Sequence, residues 1–178
     1  MLSLLQNRRS IRRFKPRPVE QDKIDALLEA VLRSPSSRNL DPWEFVVIDK
    51  PDLLKQLGRA KAHGSTFLSD APLAVAVLAD PERCDVWVED CSIAAIILQL
   101  MAQSLGLGSC WAQIRLRPHD ENTSAEDFVK DLLQLPKDYK VEAVIGIGYP
   151  DEEKEGHPAE SLKYDKVHWN RYGDGFDE

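Results

Sequence analysis

Arg8, Arg9, Ser10 and Arg12 fall within five residues, RRSIR, and the chemistry they share is anion binding. Each guanidinium offers a planar fork of donors, and a serine hydroxyl adds a short one, so the group can close around a phosphate. A second cluster, SPSSRN at residues 34–39, supplies hydroxyls, an amide and several backbone donors. A third, GLGSCWAQ at residues 106–113, sets glycines ahead of an apolar run, where backbone N–H groups can approach a flat ligand closely. It is no dinucleotide fingerprint, because a third glycine is missing and the glycines precede the apolar run instead of following it. Cys110 has no histidine near it in sequence and reads as a buried thiol. His63, His119, His157 and His168 lack metal-ligand spacing, so no metal site is expected. Glu89 and Asp90 read as acids serving a helix dipole. Taken singly, the first cluster also describes a solvated basic arm, and the second an ordinary turn.

Positioning these groups falls to elements whose patterns are plain. Residues 88–105 are apolar nearly all round, with Gln99 the one strongly polar residue between Ile93 and Ala102. An amphipathic surface helix would carry one apolar stripe and a charged back. This segment is therefore a helix buried on most faces, inside a core or against a second copy of the chain, and the pattern does not choose between the two. It is too short to cross a bilayer, which takes ~20 apolar residues, and Gly106 can end it in the left-handed conformation. Residues 20–33 space Ile24, Leu27, Leu28, Val31 and Leu32 as the stripe of an amphipathic helix. The SPSSRN loop follows and runs into a buried strand over 43–49. Pro51 fits the first turn of a short helix, residues 73–79 and 141–148 read as further buried strands, 109–116 as a strand and 124–133 as a helix. Residues 61–70 are ambiguous. From Pro150 the chain is polar, yet it carries Tyr164, Val167, Trp169 and Tyr172, which suits an arm docked on the body or on a partner. The fold class expected is α+β, a mixed sheet flanked by helices, in one domain over residues 1–178 with 150–178 as a C-terminal arm.

Composition limits the function classes. The net charge of −7 conceals six positive and no acidic residues before Glu20, which leaves residues 20–178 at −13. So acidic a body disfavours nucleic acid, whose affinity comes mainly from phosphate neutralisation. One phosphorylated small molecule suits the basic stretch better than a polymer does. Without a signal peptide or membrane span, and with three cysteines free of metal spacing, the expected place is a reducing cytoplasm.

In their order along the chain, the RRS start, SPSSRNLDPW, the alanine-containing core helix, GLGSCW and the terminal arm closely resemble the nitroreductase family of FMN-dependent oxidoreductases. The likeness covers essentially the whole chain, and SPSSRNLDPWEFVV is its most specific part. It implies an intertwined homodimer with an FMN in each of two interface pockets, the central helix in the interface and the arm wrapped around the other protomer. Residue by residue, it implies that Arg8 and Ser10, with Arg9 beside them, hold the phosphate and ribityl chain, and that Arg12 lies near the pyrimidine edge. Pro35, Ser36, Ser37 and Asn39 would come from the other subunit, and the Ala112–Gln113 backbone would face the flavin's reactive edge. Lys154 or His157 would take the place of a basic phosphate contact ahead of the arm, with Glu160 where an arginine might stand. Asp41 departs from the family's usual glutamine before the Pro-Trp pair. The reaction implied is ping-pong hydride transfer from NADH or NADPH, via flavin N5, to a nitroaromatic, quinone or similar conjugated acceptor, with no catalytic side chain. Some relatives instead dehalogenate substrates or break down flavin. The rival from another class is a non-enzymatic module whose basic arm binds RNA or an acidic protein. The visible spectrum of the purified protein separates the two.

Overall fold

The computed structural model describes residues 1–175. Its elements, in chain order, are α1 (Leu2–Asn7), α2 (Gln21–Leu32), β1 (Trp43–Ile48), α3 (Pro51–Leu57), β2 (Leu73–Ala79), α4 (Trp87–Ser104), β3 (Gly108–Gln113), α5 (Ala125–Leu133) and β4 (Lys140–Gly148). The strands form one sheet in the order β1-β2-β4-β3. The α+β class is as expected, but the sheet is not mixed: all three strand pairings are antiparallel. The parallel contact is an isolated bridge between Ser10 and Ser109, which lays the basic stretch along the β3 edge.

Both faces of the sheet are covered, which is why β2 and β4 read as continuous apolar runs. Strand side chains alternate between faces with a period of two. Leu73, Val75, Val77 and Ala79 pack with Leu27 and Val31 of α2 and with Ala94, Ala95 and Leu98 of α4. Ala74, Ala76 and Leu78 turn the other way, toward Leu54 and Leu57 of α3 and Val129 of α5. Fully burying a Leu or Val side chain is worth about 1.5–3 kcal/mol, so these two layers supply most of the cohesion.

β4 carries one irregularity. Val77 pairs with Ala143 and Leu78 with Val141, so Glu142 is an extra residue with no partner across the ladder. That is a β-bulge, which bends a strand and re-aims a side chain.

α4 ends where Gly106 takes φ +73° and the Leu107 N–H returns to the Ala102 carbonyl at 2.9 Å. Its outer face is not covered. Ile93 and Ile96 are 39% and 37% exposed, and Ile97 and Leu100 continue the same stripe half-buried. The arm divides in two. Residues 151–156 dock on their own chain, with the Asp151 N–H on the Arg13 carbonyl at 2.9 Å, whereas 157–175 are exposed throughout. Residues 176–178 of the expected arm lie outside the described residues. Among the described residues no helix is long and apolar enough to cross a membrane.

Candidate functional site

The basic stretch leaves α1 in extended conformation and is stitched to β3, the Ile11 N–H donating to the Ser109 carbonyl at 3.0 Å. The approach is close because position 108 is glycine: a Cβ there would stand 2.8 Å from Ile11. Extended backbone sends alternate side chains to opposite sides. Arg9 and Ile11 line a cleft of about 600 Å³ with Asn7, Gln103 and Gly106, and the Arg9 guanidinium donates to the Glu155 carbonyl. Arg8, Ser10 and Arg12 have the other parity and are not among that cleft's walls.

Glu152 and Lys154, which also line that cleft, tie down the backbone of the second set. The Glu152 carboxylate accepts from the backbone N–H groups of Arg12 at 2.5 Å and Arg13 at 3.2 Å, and the first of these bonds holds its pKa below the usual carboxylate value. Lys154 Nζ donates to the Ser10 carbonyl at 2.8 Å and pairs with Glu152 at 3.0 Å. Cys110 lies beneath, 1% exposed. Burial pushes its thiol up, against the pull of the Arg12 charge, so it is no ready nucleophile. The Arg8 and Arg12 guanidinium groups make no ion pair among the described residues, although the body of the chain is rich in acids. Two uncompensated cations beside a hydroxyl are a donor set suited to a phosphate-bearing ligand.

The SPSSRN loop is held at the other end of α4. Asp90, 3% exposed in its first turn, accepts from the Ser37 N–H at 2.9 Å and from the Cys84 thiol at 3.4 Å. Arg38 pairs with Asp85. Arg38, Asn39 and Asp41 all have positive φ, between 45° and 55°, which makes the loop a tight knot. Asp41 sustains it by accepting from the Ser36 hydroxyl at 2.6 Å and returning its own N–H to the same oxygen at 2.9 Å. The Ser36 proton is thereby committed, leaving that hydroxyl a lone pair to offer. Pro35 and Asn39 are exposed, and Ser36 and Ser37 half-buried.

On β3, Ala112 is buried and the Gln113 side chain is turned inward. Its amide donates to the Glu142 carboxylate and carbonyl, both at 3.2 Å, and accepts from Trp111 Nε1 at 2.9 Å.

Within one chain, then, Arg8, Ser10, Arg12, Lys154 and the β3 residues Ala112 and Gln113 share one edge of the sheet. Pro35, Ser36, Ser37 and Asn39 lie by the opposite edge, three strands across, and at the opposite end of α4. His157 and Glu160 are exposed beyond the docked part of the arm. Sequence reasoning missed Glu152, which sits in an acidic run indistinguishable from a solvated face, and Glu142, whose bulge has no sequence signature. It read Asp90 as a dipole partner; the alternation of buried positions along α4 was the available sign that it points inward.

The nitroreductase family's sequence profile matches residues 5–64 and 59–149. A protein of Archaeoglobus fulgidus, provisionally named NADH dehydrogenase/NAD(P)H nitroreductase, is 33% identical over 176 residues, covering 96% of this chain and 98% of the relative. Among solved structures, an FMN-dependent nitroreductase from Clostridium difficile R20291 superposes with a TM-score of 0.95 at 46% identity, covering 97% of this chain and all of the other. A protein of Parabacteroides distasonis with the same provisional name as the archaeal relative gives 0.87 at 31% identity, covering 96% and 98%. The chain belongs to the nitroreductase family, a class of oxidoreductases.

Proposed function

We propose that this chain is an FMN-dependent NAD(P)H oxidoreductase that works as a homodimer in the cytoplasm. The observation that carries the reading is the pair of guanidinium groups, Arg8 and Arg12, uncompensated among the described residues and flanking Ser10 on an edge stitched to β3. Arg8 and Ser10 hold the FMN phosphate and ribityl chain. Arg12 sets a positive charge toward the pyrimidine edge, and Lys154 holds the Ser10 backbone in place. FMN held there would supply hydride chemistry at N5 between NADH or NADPH and a small conjugated acceptor such as a nitroaromatic or quinone. The protein contributes binding, orientation and electrostatics, which is the usual division of labour in cofactor enzymes.

The two halves of the site lie on opposite edges of one protomer, so a two-fold partner is what unites them, the loop of one chain meeting the basic stretch of the other. Surface area supports this. The chain exposes 10909 Å², against about 8,700 Å² for a compact monomer of its mass. The excess, about 2,200 Å² per chain and so about 4,400 Å² per pair by that scaling, is of the size that permanent dimers hide. Ile93, Ile96, Leu162, Val167 and Tyr172 are the apolar groups that such an interface would cover.

The test is a visible spectrum of purified protein with an FMN titration, followed by turnover with each nicotinamide and a panel of quinones and nitroaromatics. Flavin absorbance with turnover supports the reading. A colourless protein that takes up no FMN and retains nucleic acid refutes it.

A further inference from the structure

Glu142 is a buried acid to which nothing above gives a task. It is the extra residue of the β4 bulge and is 4% exposed, in a strand otherwise apolar from Val141 to Gly148. Burying a carboxyl in such a place is unfavourable unless its hydrogen bonds are made, so its partners say what it is there for. They are all at the end of β3. The Glu142 carbonyl accepts from the N–H groups of Ile114 at 3.2 Å and Arg115 at 3.1 Å, and from the Gln113 amide at 3.2 Å. Its Oε1 accepts from the same amide at 3.2 Å. Among the described residues Oε2 has no hydrogen-bond partner, and it stands 4.0 Å from Arg115 Nε. With Trp111 Nε1 on the Gln113 oxygen, every polar atom of that amide is committed inward. The strand therefore presents backbone, not a side-chain amide, where it ends.

We propose that Glu142 is a positioning residue for the FMN site, fixing, through the Gln113 amide and the backbone of Ile114 and Arg115, the shape in which β3 meets the flavin's reactive edge. The inference rests on the FMN reading above and adds to it a residue that no flavin-facing motif contains. The bulge is the device that makes it work: in a regular ladder one residue at this point would be absent, and the carboxyl would not reach Gln113. Burial also raises the Glu142 pKa, against the Gln113 hydrogen bond and the Arg115 charge. Without the carboxyl, the Gln113 amide keeps the Glu142 and Arg115 carbonyls, at 3.2 and 3.3 Å, and loses the side-chain oxygen that fixes its tilt.

The experiment compares FMN-loaded wild type with Glu142→Gln, Glu142→Ala, Gln113→Ala and the Glu142→Ala/Gln113→Ala pair. FMN affinity is read by fluorescence, flavin environment by visible circular dichroism, and reduction by rapid mixing with the preferred nicotinamide. Misplacement by about 1 Å can cost on the order of 100-fold in rate, so Glu142→Ala and Gln113→Ala should each alter the dichroism and slow reduction by about 10- to 100-fold. The double variant should be no slower than either single one, because both remove the same contact. Glu142→Gln keeps an oxygen for Gln113 and should restore wild-type dichroism and rate. If Glu142→Ala does not fold, Gln113→Ala against Glu142→Gln decides the matter alone. Unchanged dichroism and rate in Gln113→Ala, or additive losses in the pair, overturn the proposal. A wild-type protein that binds no FMN overturns the reading beneath it instead, before any variant is compared.

Discussion

Two arginines nine positions apart in one basic stretch have different neighbours, and that difference is testable. Arg17 is engaged: it pairs with Glu20 and stacks 4.0 Å from the Tyr149 ring centroid. Among the described residues Arg8 has no such partner. Hydrogen bonds to charged groups are worth ~1.5–3 kcal/mol net, so Arg8→Ala should weaken FMN binding by ~10- to 100-fold, while Arg17→Ala leaves it unchanged. Titration of apo-protein at fixed salt, followed by flavin fluorescence, measures both. Equal affinities for the two variants would refute the assignment. This contrast was only half legible in the sequence. Six cations without an acid are obvious in a string of letters, but which of them the fold neutralises depends on Glu20, three residues past Arg17, and on Tyr149, which is far away.

At the scale of elements, the segment 150–156 behaves as a clasp on the N-terminal stretch, and Glu152 is its pin. Its pKa lies below the ordinary 4.5, chiefly through the Arg12 N–H, so its stabilising effect is present above that value and is lost as pH falls through the lowered one. Glu152→Gln should be less stable than wild type at neutral pH, and the gap in melting temperature should close as pH drops below the ordinary 4.5 and through the lowered pKa. A gap constant over that range would mean that the carboxylate charge does not hold the clasp. Most element boundaries could be read ahead of the structure, because period and punctuation are local: β2 falls on the expected residues 73–79, and Pro51 opens α3 as its fixed φ suggests. The β3 strand was drawn too long, through Leu116, because its apolar run continues past Gln113 into a turn where Leu116 takes φ +57°. The direction of strand pairing was not legible, since apolar runs covered on both faces look the same whether parallel or antiparallel. The clasp was not legible either; long-range contacts between two polar segments leave no periodic trace.

For the whole molecule, the exposed stripe on α4 is the feature to break. Ile96→Glu puts a charge on a face that tolerates it in a lone chain but not in a buried interface. Sedimentation at micromolar concentration should show monomer for the variant and dimer for wild type, with FMN retained only by the dimer. Truncation after Gly156 keeps the clasp and removes the exposed remainder, so it should weaken the dimer and FMN binding together. A truncated chain that stays dimeric and yellow would reduce residues 157–178 to a tail.

The placement of the two half-sites on opposite edges has a genetic consequence. If each pocket is shared, two inert chains can rescue one another. A chain carrying Arg8→Ala spoils the basic half, and one carrying Asp90→Ala spoils the loop half by freeing Ser37. A dimer of one chain of each kind has one pocket with both faults and one with neither. Unfolded together and refolded at equal amounts, the two preparations should regain about a quarter of wild-type FMN sites, since random pairing makes half the dimers mixed. Neither preparation alone should bind at the same low FMN concentration. In a cell holding two alleles, the same arithmetic predicts complementation between lesions that are each null when alone.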